Sequence, residues 1–509
     1  MITNLASTTR RQFLCAAAAL AGRPAFGSSR RPNILFAISD DQSWLHTGAS
    51  GDRVVKTPGF DRVAARGVRF TNAICCSPGC APSRASILTG MPTWQLEEAG
   101  THASYFPVRF QVFPDLLEAA GYHVGFTRKG AGPCNWQGAG RKRNPAGNEF
   151  SSIKLQQRPP GVSETDYAAN FADFLSKRPK GHPFCFWYGA SEPHRDYVPG
   201  SGLKSGKKLE DVLVPPFLPD VPEVRSDILD YYTEIEHFDN HLERMLAHLE
   251  RTGDLENTIV VVTSDNGMAF PHAKACVSEY GIHLPLAIMW PDVVKGGRVV
   301  EDLISFLDFA PTFLEAAGLN PTTEMIGRSL GPVLRSHRSG WIEPARRSAL
   351  SGRERHSHAR FDNLGYPSRA VRTPDYLYVR NFKPDLWPAG DPDWYYDIDD
   401  SPTKTYMLQH ADHPSVQSLF EAGFGKHPAE ELFDIRKDPG CLTNLAGQPE
   451  FEKVRKELKA ELEGALTAQK DPRMLGAGDI FDSYPRFSPM REHLGGFATA
   501  DSYNPKYRP

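Results

Sequence analysis

The sequence predicts an α/β protein, with a mostly parallel sheet between helices in a first domain and a smaller C-terminal α+β domain. Uninterrupted apolar runs, beginning with residues 33–39, are typical of strands covered on both faces. Helical patterns lie between these runs, and such alternation favours a parallel sheet with helices on both sides. The chain has 509 residues, more than one hydrophobic core usually organises. A second domain is therefore expected.

The first domain is predicted to span residues 28–347. After its first strand, a helix is expected to begin at Pro58, with Thr57 as N-cap and Gly67 at its end. The remaining elements expected here are a helix over 113–121, strands at 122–126, 184–190, 258–263 and 284–289, and a long helix over 227–251.

The second domain is predicted to begin near Ser348 and to span residues 348–475. Its expected elements are strands at 368–372 and 376–381, a loop rich in Asp and Pro over 384–402, and a helix over 450–470. Residues 476–509 form an irregular tail, for which two alternatives stay open: it drapes on the body or it is disordered.

The N-terminal segment, residues 1–27, predicts a twin-arginine export signal. Arg10 and Arg11 precede a short, weakly hydrophobic run rich in alanine. The alternative is a disordered basic tail. The run is too short to span a membrane, and no other segment reaches about 18 apolar residues. We therefore expect the twin-arginine machinery to export a protein without a membrane span, which is periplasmic or secreted.

The nearly balanced overall charge bears on which charged partners the protein could bind. The chain carries 58 Lys and Arg against 61 Asp and Glu, a net charge of −3. This balance argues against a general surface for nucleic acids or other polyanions. An anionic substrate would have to be met by local cations.

Acidic and amide side chains follow two of the predicted strands. Asp40 and Asp41 come after the first strand, and Asp265 and Asn266 come after the strand at 258–263. Ligands bind at the carboxyl ends of strands in open α/β sheets. Oxygen donors without His or Cys suit Ca²⁺ or Mg²⁺ and argue against zinc. Each tract alone is more often a cap or a turn, but their joint placement predicts a metal site.

A short motif around Cys80 carries the most specific signal. By itself, a lone cysteine is a buried small hydrophobe, half of a disulfide or a candidate nucleophile. Here Cys80 opens the pattern Cys-x-Pro-Ser-Arg, ending at Arg84, which resembles the signature of the type I sulfatases. The resemblance implies an alkaline-phosphatase-like fold. It also implies that a formylglycine-generating enzyme oxidises Cys80 to Cα-formylglycine, whose hydrated aldehyde supplies the attacking hydroxyl.

The same resemblance assigns roles to the acidic tracts and to several cations. It implies one Ca²⁺ per chain, with Mg²⁺ less suited, and the metal ligands it implies are Asp40, Asp41, residue 80, Asp265 and Asn266. Transfer of a sulfuryl group needs positive charge on its oxygens and a proton donor for the leaving group. The matching positions are Arg84 to orient the aldehyde hydrate, Lys129 and Lys274 to hold sulfate oxygens, and His194 with Lys274 to protonate the leaving group. His194 alone would more often be a surface loop histidine.

The chain departs from the family at one position. Many sulfatases carry Gly-Lys-x-His after the third strand, whereas residues 128–133 read Arg-Lys-Gly-Ala-Gly-Pro. The usual histidine, which helps to expel sulfate, is therefore absent. His46, His272 or another residue could replace it, or turnover could be slow. Arg128 competes with Lys129 for the role of the conserved cation.

Further stretches, at 213–220, 263–271 and 366–372, resemble the heparan N-sulfatase branch. A sulfated glycan or oligosaccharide is therefore the expected substrate, with N-sulfate and O-sulfate both open. Expected substrate contacts are loop and second-domain side chains, namely Arg195, Trp136, His356, His358, Arg369 and Arg372, together with the cationic loop 136–144. The alternative is that these are solvated loop charges.

Two other functions remain open from the sequence. A phosphonate or phosphate ester hydrolase could use the same aldehyde, because tetrahedral sulfate and phosphate share geometry. The absent histidine also admits a carbohydrate-binding protein that kept the fold and lost activity.

Overall fold

A nine-stranded sheet forms the centre of the protein, whose computed structural model describes residues 30–508. Its strands are β1 (Asn33–Ser39), β2 (Val68–Ile74), β3 (His123–Arg128), β4 (Asn148–Glu149), β5 (Phe184–Gly189), β6 (Thr258–Ser264), β7 (His283–Met289), β8 (Arg298–Val300) and β9 (Ile304–Ser305). They are ordered β4-β3-β5-β1-β6-β7-β2-β8, with β9 also beside β2. Within the described residues, β7 alone runs antiparallel to its neighbours. The predicted signal at 1–27 lies outside the described residues.

Helices cover this sheet and the regions around it. They are α1 (Pro58–Arg66), α2 (Cys80–Thr89), α3 (Phe113–Ala119), α4 (Tyr167–Ser176), α5 (Ser201–Lys204), α6 (Pro222–Thr252), α7 (Glu279–Ile282), α8 (Phe309–Ala316), α9 (Gly331–Arg335), α10 (Pro402–Gln409), α11 (Gln417–Phe424), α12 (Glu452–Ala468) and α13 (Ile480–Ser483). No helix among residues 30–508 is long and apolar enough to cross a membrane.

Both faces of the main sheet are buried, which explains the uninterrupted apolar strands. Successive side chains of a strand point to opposite faces. Phe36 of β1 therefore packs with α3 and α8 on one face, while Leu35 packs with α1, α4 and α6 on the other. The predicted mostly parallel sheet between helices is confirmed.

A second, antiparallel sheet follows in the C-terminal part of the chain. Its strands pair in the order β10 (Ala349–Arg353), β11 (Ser368–Arg372), β12 (Tyr376–Asn381) and β13 (Glu430–Asp434). Leu458, Leu462 and Leu466 of α12 pack on Val371 and Tyr378 of this sheet. The predicted strands at 368–372 and 376–381 are confirmed. The exact division into domains at 347 and 475 stays a prediction.

The start of α1 corrects one detail of the sequence analysis. Thr57 occupies the N-cap position, but its side chain makes no capping hydrogen bond. The Asp239 carboxylate, from α6, instead accepts hydrogen bonds from the backbone N–H groups of Gly59 and Phe60, each at 2.7 Å. A partner that lies 180 residues away along the chain replaces the local cap.

The C-terminal tail drapes on the body over its described residues, 476–508. Phe481 and Tyr484 are buried against α12 and the small sheet. Arg355 donates hydrogen bonds to the carbonyl oxygens of Tyr484 and Pro485, at 2.6 and 2.9 Å. Of the two alternatives left open by the sequence, the structure therefore has the draped tail.

Candidate active site

Three carboxylates and one amide meet at the carboxyl ends of β1 and β6. These strands are parallel neighbours, so the residues after them leave the sheet side by side. The Asp41 backbone N–H donates to Asp265 Oδ1 at 3.2 Å, and Asn266 Nδ2 donates to Asp41 Oδ1 at 2.6 Å. One oxygen from each of Asp40, Asp41 and Asp265 lies within 4.8 Å of the others. The structure thus brings the four predicted side chains together in a buried cluster.

The chemistry of this donor set fits a hard divalent cation. Asp40 Oδ1 and Asn266 Oδ1 are buried and have no hydrogen-bond partner, although buried polar atoms are nearly always paired. Burial and the negative charge of Asp40 raise the pKa of Asp265 above its usual value. A cation among these oxygens would satisfy the two orphaned atoms and relieve the repulsion.

Each carboxylate of the cluster also contacts one predicted cation. The pairs are Arg84 with Asp265, Lys129 with Asp40, and Lys274 with Asp41. Burial alone would lower the pKa of Lys274, but Asp41 and Asp399 raise it above its usual value. The Lys274 ammonium group therefore stays charged at neutral pH. The cluster presents both the oxygens for a metal and the cations for an anionic substrate.

Cys80 is the first residue of α2 and lies at the edge of the cluster. Its side chain is buried, and Gly79 before it takes the extended N-cap conformation. Burial raises the pKa of the Cys80 thiol to about 11, although Lys129 and Lys274 act in the opposite direction. The unmodified thiol is therefore neutral at neutral pH and is a poor nucleophile. Nucleophilic chemistry here calls for a different functional group at position 80.

His194 and an acidic residue that the sequence analysis missed complete this end of the site. His194 Nε2 lies 3.9 Å from Asp41 Oδ2, and its Nδ1 lies 2.6 Å from the carbonyl oxygen of Arg195. Asp399 Oδ2 lies 3.7 Å from Lys274 Nζ. Asp399 belongs to the predicted Asp- and Pro-rich loop. Because this loop contains several aspartates, the sequence does not indicate which of them reaches the site.

The loop where the family has its histidine is packed closely by its neighbours. Arg84 Nη1 donates to the carbonyl oxygens of Lys129 and Gly130 at 2.8 and 3.3 Å. Asn144 Oδ1 accepts a hydrogen bond from the Ala131 N–H at 3.2 Å. A Cβ atom at Gly130 would lie 2.5 Å from that same Asn144 oxygen. The loop after β3 is therefore closed by its neighbours.

Neither histidine suggested as a replacement faces the site. His46 Nδ1 contacts the Tyr232 hydroxyl at 3.2 Å and Asp52 at 3.5 Å. His272 places both ring nitrogens on backbone carbonyl oxygens, at 2.8 and 2.9 Å. Two other histidines, His102 and His356, do border the site, with ring centroids 4.6 Å apart. His102 was not singled out from the sequence, because its loop carries no motif.

Two cavities open beside Lys129. The larger, about 610 Å³, is lined by Arg128, Trp136 and Lys142 among others. The smaller, about 360 Å³, includes Asp40 and His194. Lys129 lines both of them. The predicted substrate residue Trp136 thus faces a space large enough for a sugar ring.

Four of the side chains expected to contact substrate make internal bonds in the structure, and their contact with a substrate stays a prediction. Their guanidinium groups or ring are buried in internal bonds: Arg195 with Asp227, Arg369 with Glu354 and Asp471, Arg372 with Glu279, and His358 with the Arg491 backbone N–H. Buried arginines of this kind hold the fold together because their charge is matched by a carboxylate.

The charged cluster at the strand ends of this α/β sheet offers oxygens that could hold a metal ion and cations that could bind an anionic substrate. Residues 32–319 match the sulfatase family, which is more than half of the chain, so the chain belongs to that family. An ulvan-active sulfatase of Formosa agariphila is 27% identical over 489 residues, covering 89% of this chain and 77% of that protein. Human N-sulphoglucosamine sulphohydrolase is 28% identical over 502 residues, covering 92% and 96%.

A solved structure shares the fold. It is a protein in complex with its substrate D-glucosamine-2-N,6-O-disulfate, with 22% identity and a TM-score of 0.62. The match covers 87% of this chain and 99% of that one. At this identity, the likeness supports the alkaline-phosphatase-like architecture.

Proposed function

We propose that this protein hydrolyses sulfate esters or N-sulfate groups of a sulfated carbohydrate, using a formylglycine derived from Cys80 and a divalent metal. The observation that carries the proposal is the meeting of three buried carboxylates, an orphaned amide oxygen and two lysines beside the start of α2. A site with both signs of charge suits a metal and an anionic substrate together.

The metal ligands in this proposal are Asp40, Asp41, Asp265 and Asn266, with the modified residue 80. Oxygen donors alone favour Ca²⁺, which accepts irregular coordination, over Mg²⁺, which demands near-octahedral geometry. When bound, the metal supplies positive charge to the oxygens of the sulfate group.

The protein's own side chains bind the sulfate and move a proton. A formylglycine at position 80, once hydrated, would supply the hydroxyl for attack on sulfur. Lys129 and Lys274 keep their charge and bind sulfate oxygens, while Arg84 holds the loop that carries Lys129. His194 Nδ1 donates its proton to the Arg195 carbonyl oxygen. In the doubly protonated imidazolium form, Nε2 is therefore the nitrogen that would donate a proton to the leaving oxygen or nitrogen.

The carbohydrate would occupy the two cavities that meet at Lys129. Trp136 can stack on a sugar face, and Arg128 and Lys142 can meet further anionic groups. The relatives that act on ulvan or on N-sulfoglucosamine support a sulfated glycan. They leave N-sulfate and O-sulfate both in the proposal.

Maturation and location complete the proposal. A formylglycine-generating enzyme would convert Cys80, and the twin-arginine machinery would export the protein to the periplasm or the medium. The support is the Cys-x-Pro-Ser-Arg motif and the pair Arg10 and Arg11 before an alanine-rich run.

The test is a set of defined sulfated oligosaccharides, with free sulfate and its position of origin measured for the wild type and for Cys80→Ala. We expect release by the wild type and none by the variant. An aryl sulfate and a matched aryl phosphodiester are compared in the same assay. Faster cleavage of the diester, or equal release by Cys80→Ala, would contradict the proposal.

A further inference from the structure

Three side chains from distant parts of the chain gather beside α2. They are His102, from the loop after α2, His356, which follows β10, and Arg486, from the C-terminal tail. The two histidine rings lie 4.6 Å apart between centroids, and Arg486 Nη1 donates to the His356 carbonyl oxygen at 2.7 Å. We refer to these three residues as the tail cluster.

The tail cluster borders the space around Cys80. A Cβ atom placed on Gly79, the residue before Cys80, would lie 3.1 Å from His356 Nδ1. Burial lowers the pKa of His102 well below its usual value. His356, Arg486, Lys129 and Lys274 act in the same direction, so both lysines lie within electrostatic reach of this ring. The cluster therefore lies beside Cys80 and within electrostatic reach of the lysines proposed to hold sulfate.

The donors of this cluster lack an acidic partner. Arg486 is buried, and its Nε has no hydrogen-bond partner; the same holds for His102 Nδ1. The carboxylate of Asp397 raises the pKa of Arg486, but it is already paired with Arg353 and Arg360. Within residues 30–508, no carboxylate bonds to the Arg486 guanidinium.

The positive charge on Arg486 is retained. Burial, with the charges of Arg355 and Arg491, lowers the pKa of Arg486 to about 9, which still leaves it protonated at neutral pH. A buried charge without a counter-ion is costly to the fold. Such a cost is expected where a ligand supplies the missing opposite charge.

The tail is held firmly enough to place Arg486. The Phe487 N–H donates to the Ala103 carbonyl oxygen at 2.7 Å, and the ring of Phe487 lies 4.6 Å from that of Tyr105. Tyr105 forms a backbone bridge with Asn135, next to Trp136. The tail, the 102–105 loop and the rim of the larger cavity thus form one continuous wall.

We propose that His102, His356 and Arg486 form a second anion site, which binds a carboxylate or a further sulfate of the same glycan whose sulfate lies at residue 80. This inference rests on the proposed function and adds the class of substrate: a carbohydrate with at least two anionic groups. It also makes the C-terminal tail part of the substrate-binding wall.

The test compares Arg486→Gln with the wild type on four substrates: an aryl sulfate, a monosulfated sugar, the same sugar with a second sulfate, and the monosulfated sugar linked to a uronate. We expect KM for at least one substrate with a second anion to rise roughly tenfold or more. The kcat/KM for the aryl sulfate should stay unchanged. The substrate whose KM rises shows whether the second anion site binds a sulfate or a carboxylate.

Two further variants separate binding from folding. Arg486→Lys keeps the charge and should recover part of the lost affinity. Lys506→Ala is the matched control, because this exposed residue of the same tail pairs with Asp362, and it should leave every KM unchanged. An equal loss on the aryl sulfate and on the substrates with two anions would overturn the second anion site, as would an unchanged KM throughout.

A binding measurement tests the second anion site independently of the proposed hydrolysis. Calorimetric titration of the disulfated sugar and of the uronate-linked sugar into Cys80→Ala and into Cys80→Ala with Arg486→Gln needs no turnover. Weaker binding of either sugar by the double variant supports the anion site even if no sulfate is released. Equal affinities of both proteins for both sugars would contradict it.

Discussion

At the scale of single residues, the site is a balance of buried charges. Asp40, Asp41 and Asp265 each contact at least one basic side chain, so none of the three is an isolated buried charge. A divalent cation on the carboxylates would offset their charge and leave the lysine ammonium groups for the oxygens of an anionic substrate. The same residues can therefore hold the empty site together and bind sulfate in the loaded one.

His194 carries the clearest prediction at this scale. If Nε2 of His194 protonates the leaving group, His194→Ala should lower kcat roughly 10²–10⁴-fold for a sugar sulfate. The same substitution should lower kcat much less for an aryl sulfate, because a phenolate with an electron-withdrawing group leaves without a proton. The measurement is kcat for the two substrates with each protein.

The matched control is His182→Ala. His182 is an exposed histidine whose Nδ1 contacts the Gly121 carbonyl oxygen, outside both cavities. It should leave both rates unchanged. Equal losses on the two substrates for His194→Ala would show that His194 does not act as the proton donor.

At the scale of elements, the side chain of Arg372 joins the small sheet to the large sheet and to α7. Arg372 of β11 donates to Glu279 of α7 at 2.7 Å and to Asn72 of β2 at 2.7 Å. Although burial alone would raise the pKa of Glu279, Arg372 and His283 lower it to about 2. The carboxylate is therefore ionised throughout the neutral range, and its charge depends on Arg372.

Removing this arginine should destabilise the fold. Arg372→Ala leaves Glu279 buried with His283 as its remaining partner, at 2.8 Å, and without a permanently charged one. We therefore expect the free energy of unfolding to fall by about 3–5 kcal/mol in urea titrations at neutral pH. The control is Arg380→Ala on the adjacent strand β12, whose pair with Glu463 is about one-third exposed on each side. That change should cost about 1 kcal/mol or less.

The pH dependence follows from the lowered pKa of Glu279. A group whose pKa is lowered by folding stabilises the protein fully above its unfolded pKa, which is near 4.5. That contribution is lost as the pH falls through 4.5 towards about 2. The difference between the wild type and Arg372→Ala should therefore shrink with acidification; a constant difference would contradict the ion pair.

The elements could be predicted well where burial alone decides them. The continuous apolar run predicts β1, and the helical spacing of apolar residues predicts α6. The structure has both elements, although α6 begins earlier than predicted, at Pro222. Long-range polar partners could not be predicted in this way. Asp239 caps α1 from a distant helix. The buried ion pair of Arg369 with Asp471 also joins residues that lie far apart in the chain. Nothing in a local pattern names such a partner.

The same limit applies to the candidate site. The acidic tracts after β1 and β6 could be predicted because parallel strands bring their carboxyl ends together. Asp399, His102 and Arg486 could not, since loops and the tail bring them to the site. Charge in a loop does not reveal from the sequence whether it is solvated or buried against a distant element.

At the scale of the whole molecule, the large sheet positions the charged cluster, and the C-terminal part of the chain lies beside it. β1, β6 and α2 place the carboxylate cluster and Cys80, while Arg486 of the tail holds the segment after β10 through the His356 carbonyl oxygen. This division explains how one charged centre can serve different sulfated carbohydrates: the loops and the tail can vary while the strand ends stay fixed.

The most direct test of the central claim is mass spectrometry of the peptide that contains residue 80, taken from protein made by its own host, together with sulfate release per chain by the same sample. The account predicts an aldehyde in place of the Cys80 thiol, with turnover proportional to the converted fraction. Sulfate release by a preparation in which Cys80 is entirely an unmodified thiol would contradict it.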